Sequence, residues 1–214
     1  MDGEARRSNY DLQVDLTRTL FLSYDQAALI RKFQLEADEG FIYIDYLGES
    51  MRVCRSSGRV DARGEAGQWR ECRDYNAVMT IYDLLCHSQG EHPPALAGEW
   101  CPIGSFVVTA SHDTGRFTNA YAARFQGRVD ALKAACARHG GRIQPSVAGA
   151  DLSCIFDVTR FFPLMLQFWD ADDEFPAQLR LLWDRNTLRF LHYETSFFLQ
   201  NDLLERLAAD ASAD

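Results

Sequence analysis

Lysine is nearly missing from this chain: of 22 basic residues only Lys32 and Lys133 are lysines, and arginine supplies the rest. Set against 31 acidic residues, these leave a formal net charge of −9, which excludes the positive surface that non-specific nucleic-acid binding needs to displace counterions. No apolar run approaches the roughly 18 residues of a membrane-spanning helix. The opening MDGEARRSNYD also lacks the apolar core of a signal peptide. The expectation is a cytoplasmic protein with no nucleic-acid and no membrane partner. Six cysteines (Cys54, Cys72, Cys86, Cys101, Cys136, Cys154) are scattered without a C-x-x-C pair, so there is no iron–sulfur cysteine cluster and no zinc knuckle. In a reducing compartment they are expected to be unbridged, buried small hydrophobes. Phosphate-cradling GxxxxGK[ST] and GxGxxG loops, a GxSxG elbow and HExxH or HxH histidine pairs are all missing too, so no motif fixes a reaction.

What is present is globular. At 214 residues, with 47% hydrophobic and 25% charged side chains, the chain fits one domain over 1–214 that can bury a core. Residues 1–19 read as an N-terminal helical extension and 211–214 as a fraying tail. Helices are expected over 9–19, over 23–36 behind a Ser23/Gln26 capping box, from Asp74 to His87, over 117–139 with a break at Gly127, and over 196–209. Strand-like alternation occupies 41–47, 51–55, the short piece from Phe106 to Val108 and 151–158, with a further short strand expected from Leu188 to Leu191. The fold class is therefore α+β: an antiparallel or mixed sheet, with strand regions near 41–60 and 151–191, covered by helices.

The densest stretch runs from Phe161 to Asp184. Leu164, Leu166 and Phe168 alternate with Met165, Gln167 and Trp169, and Leu179, Leu181 and Trp183 alternate with Gln178, Arg180 and Leu182, the two-residue period of strands. The first arm is apolar on nearly both faces and reads as a central strand, with the second nearer an edge. Asp170, Ala171, Asp172, Asp173 and Glu174 lie between them and are poor strand formers, so a hairpin is expected.

Leu47-Gly48, Gly98-Glu99-Trp100, Gly140-Gly141, Asp151, Phe162-Pro163, and Trp169-Asp170 through Asp172-Asp173-Glu174-Phe175-Pro176 to Asp184 follow one another along most of the chain from about Leu20. This succession resembles domain-of-unknown-function family 3786, an uncharacterised prokaryotic family, and its most specific portion is D-D-E-F-P. The resemblance implies that the acidic hairpin is a feature of the fold. It brings no catalytic assignment. Some family members carry an added iron–sulfur segment, for which this sequence has no cysteine cluster.

Two functional classes follow. The first is a binding module for an unknown small molecule or protein partner, with Trp100, Trp169 and Trp183 as its ligand-binding aromatics. The alternative is a carboxylate-dependent enzyme holding a divalent cation on Asp170, Asp172, Asp173 and Glu174, since oxygen-rich clusters suit hard cations. The EF-hand pattern fails there: counted from Asp170, its sixth place is Phe175 and its twelfth is Leu181. A solvated tip is the plainer account of the same charges.

Overall fold

Alternation of buried and half-exposed residues along Phe41–Tyr46 and Glu49–Cys54 is what a sheet with one covered face requires. These two strands lie inside the first of two sheets. The computed structural model describes residues 8–106 and 114–212, and the side chains outside 114–116. The first sheet contains β1 (Glu36–Ala37), β2 (Phe41–Tyr46), β3 (Glu49–Cys54), β4 (Val60–Arg63) and β5 (Trp69–Glu71), antiparallel and in sequence order. The second contains β6 (Trp100–Pro102), β7 (Gly141–Gln144), β8 (Leu152–Thr159), β9 (Phe162–Trp169) and β10 (Gln178–Asp184), in the order β6-β10-β9-β8-β7 and again antiparallel. The α+β class holds, with two sheets among the described residues in place of the expected one.

The helices are α1 (Asn9–Ser23), α2 (Gln26–Phe33), α3 (Tyr75–Cys86), α4 (Thr114–Phe125), α5 (Val129–Arg138) and α6 (Tyr193–Ser212). The expected Ser23/Gln26 capping box is replaced by two separate caps. Ser23 stays in α1, its hydroxyl donating to the Leu20 carbonyl at 2.6 Å, and Asp25 caps α2 by accepting from Ala28 N. A reciprocal box does occur at Ser8 and Asp11, where α1 begins. Two other expectations also fail. Leu188–Leu191 contributes to a 3-10 turn over Thr187–Arg189, and Phe106 follows a 3-10 turn over Ile103–Ser105, while Val107 and Val108 lie outside the described residues.

β9 is the central strand of its sheet, and Leu164, Leu166 and Phe168 are fully buried against Leu179, Leu181 and Trp183 of β10. α6 adds Leu199, Leu203 and Leu207 to the same core, and α3 adds Ile81 and Leu85. The sheets meet where Leu47 N donates to the Val158 carbonyl at 2.9 Å. There the turn at Gly48 crosses the one at Gly140; a Cβ on Gly48 would lie 2.8 Å from Gly140 N, and both have positive φ, so neither place admits a side chain. A buried polar link ties the first sheet to α6: Tyr46 Oη donates to Asp202 at 2.7 Å, and Arg206 spans Asp202 at 2.6 Å and Glu49 at 2.9 Å.

Candidate ligand and metal site

The C-terminal turn of α3 carries Asp83 and His87, four residues apart and hence on one helix face. The chain beyond His87 is held by Lys32 of α2, whose ammonium donates to the Ser88 carbonyl at 2.5 Å and the Gln89 carbonyl at 3.3 Å. Burial pushes that ammonium's pKa down. Pro93-Pro94 cannot continue the helix. From the other side of the molecule the Thr187–Arg189 turn brings His192, immediately before α6, onto Asp83. The Asp83 carboxylate accepts from the His192 backbone N–H at 2.7 Å and lies 2.7 Å from His192 Nδ1.

His192 Nε2 is in turn 3.2 Å from His87 Nδ1, and His87 Nε2 is 3.0 Å from the Leu188 carbonyl oxygen. A carbonyl only accepts, so His87 carries its proton on Nε2. The carboxylate likewise calls for a proton on His192 Nδ1. The two remaining nitrogens, unprotonated in the neutral rings, therefore face each other. Among the described residues Asp83, His87 and His192 are the group of three whose ligand atoms all lie within 4.8 Å of one another.

These side chains sit in a groove of about 900 Å³, at the upper end of the roughly 300–1,000 Å³ of small-molecule sites. Leu20, Tyr24, Pro93, Pro94 and Leu188 form its apolar wall, and Arg189 and His92 also line it. Cys86 borders the groove as well. Burial, reinforced by Asp83, pushes its thiol up to about 12, so it stays protonated and is no nucleophile. The dyad of Asp83 and His192 can orient one imidazole and accept or hold a proton on it.

The residues singled out from the sequence lie elsewhere. Trp183 is fully buried and packs on Phe162, while Trp100 pairs with Asp184 at the same end of the sheet. Trp169 pairs with Gln178 at the opposite end of β10, five residues or about 17 Å from Trp183. Its ring carries the Arg180 guanidinium at 4.9 Å, and its Nε1 donates to the Ala148 carbonyl. The three indoles do not share a pocket. In the hairpin tip, Asp172 Oδ1 accepts from Glu174 N and Phe175 N, and Asp170 accepts from Gly127 N at 2.8 Å. Asp173 and Glu174 are exposed. Asp170 and Asp172 are thus directed to backbone amides.

A family model described as a domain of unknown function, DUF3786, matches residues 24–206. The chain belongs to the DUF3786 family. No curated protein and no solved structure matches it. The match begins directly after α1 ends at Ser23. Several of the residues that carried the resemblance hold backbone turns or crossings in this chain. Asp184 accepts from Ala97 N, Gly98 N and Asn186 N, Asp151 accepts from Asp170 N, and Gly48 and Gly140 make the close crossing. None of them lines the groove. The i, i+4 pair Asp83 and His87 was a local signal in the sequence, but His192, 105 residues beyond His87, was not.

Proposed function

We propose that this DUF3786 protein is a small-molecule-binding module of the cytosol, and that its ligand occupies the groove between α3, the Gln89–Ala95 segment and the turn before α6. The observation that carries this reading is the pairing of an apolar wall with one compact polar end, His87 and His192. Small-molecule sites have this make-up: apolar surface supplies affinity and a few placed polar groups supply orientation. The six cysteines, none of them bridged, and the net charge of −9 support a reducing, soluble setting. The metal-enzyme alternative on Asp170 to Glu174 is less well supported, because the Asp170 and Asp172 oxygens already serve backbone amides.

Ligand-observed NMR with a library of small carboxylates, amines and heterocycles tests the reading. Binding compounds should lose their signal changes in a Leu188→Trp variant, which fills the groove, and keep them in Trp69→Ala, a change in the first sheet. Compounds that bind Leu188→Trp as well as the parent, or no binding compound at all, would overturn it.

A further inference from the structure

We propose that His87 and His192 hold a divalent transition-metal ion of the zinc class at the polar end of the groove, an inference that rests on the groove being the protein's binding site. Each ring has one nitrogen already committed: His87 Nε2 to the Leu188 carbonyl at 3.0 Å and His192 Nδ1 to Asp83 at 2.7 Å. This is the arrangement of metal-ligating histidines, whose second nitrogen is tied to a carbonyl or carboxylate that fixes the ring and raises its basicity. It leaves His87 Nδ1 and His192 Nε2 free to ligate, 3.2 Å apart. Tetrahedral bonds of about 2.0–2.1 Å to zinc set two ligand nitrogens roughly 3.3 Å apart. Two lone pairs at that separation repel, and a cation between them converts the repulsion into attraction.

The rings meet at 65° with centroids 4.0 Å apart, so a modest turn of both about Cβ–Cγ aims the two nitrogens at one ion. The His192 side chain is 62% exposed, and the open groove leaves room for that turn. Asp83 is a positioning residue, donating no bond to the ion. Two protein nitrogens leave the remaining positions to water, to the groove residues Glu91 and His92, or to the bound molecule. Imidazole ligands favour zinc, copper, nickel and iron over magnesium or calcium.

The full chain, stripped with a chelator, is titrated with Zn²⁺ by calorimetry. One ion per chain should bind. His87→Ala and His192→Gln should each weaken binding by about tenfold or more, and Asp83→Asn by about 10- to 100-fold. The glutamine keeps a donor for Asp83, so its fold should persist, and circular dichroism checks this. Asp172→Asn with Asp173→Asn should bind Zn²⁺ as the parent does. Absence of saturable Zn²⁺ binding, or binding that survives both histidine changes, would mean that the pair shares a proton only and would overturn the proposal. Ligand-observed NMR on the stripped protein separates the two readings: compounds that bind the groove while calorimetry shows no Zn²⁺ binding leave the module and remove the metal, and absence of both removes both.

Discussion

Cys54 illustrates how far neighbouring hydroxyls can move a thiol. Ser56 and then Ser57 hydrogen-bond to it and lower it to about 7 in a half-exposed position, whereas burial raises Cys86 to about 12. Burial of all six cysteines is not what the fold provides: Cys86, Cys136 and Cys154 are buried, and the other three are partly exposed. Iodoacetamide should therefore modify Cys54 first, at a rate half-maximal near pH 7, and reach the buried three only on unfolding. A rate at Cys54 that rises as for an ordinary thiol, with a midpoint of about 8.5, would contradict this. Asp172 illustrates the converse for a carboxylate. The amides of Glu174 and Phe175 hold its pKa below the usual value, so its contribution to stability is present above the unfolded pKa, about 3.9, and is lost as pH falls through the folded one. The tip is thus more than a solvated loop. Urea melts at pH 6 and pH 3 should show the parent losing more stability than Asp172→Asn over that interval.

At the scale of elements, β9 and β10 form the hairpin on which the second sheet is built. Phe168 is fully buried and meets Phe125 of α4 edge-on at 6.3 Å. Phe168→Ala should cost about 3–5 kcal/mol of a total of about 5–15, read as a shift of the urea midpoint. A shift no larger than that of a surface change would remove Phe168 from the core. This hairpin was legible in the sequence because two long runs alternated with period two around residues that strands reject. β1, β6 and β7 were not, since two to four residues are too few to establish a period, and pairing with a longer neighbour is what makes them strands. Leu188–Leu191 looked like a strand by composition, yet the chain must turn there to bring His192 to Asp83. The polar end of the groove was hidden for the same reason: its halves come from segments that only the tertiary fold joins, whereas the acidic tip stood out by local charge alone.

Across the whole molecule, the buried group of Tyr46, Asp202 and Arg206 makes the first sheet depend on the last helix. Burial raises the Asp202 carboxyl although Arg206 and Tyr46 pull it down, whereas Arg206, itself opposed by desolvation, is raised on balance by Asp202 and Glu49. The carboxylate is the costlier half to bury. Arg206→Met should therefore destabilise by about 3 kcal/mol or more, because it leaves that charge uncompensated, and Asp202→Asn should cost less in paired denaturant melts. The reverse ranking would place the cost on the guanidinium. The Tyr46 partner also lies 156 residues further along the chain, which gives the link a meaning for biosynthesis. The first sheet is complete in sequence by Glu71, yet on a ribosome Tyr46 of β2 and Glu49 of β3 must wait for α6 to bring Asp202 and Arg206, and an incompletely docked sheet is prone to aggregate. Chains stopped after Phe190, which contain every strand among the described residues, should therefore pellet in a translation extract while chains released at Asp214 stay in the supernatant.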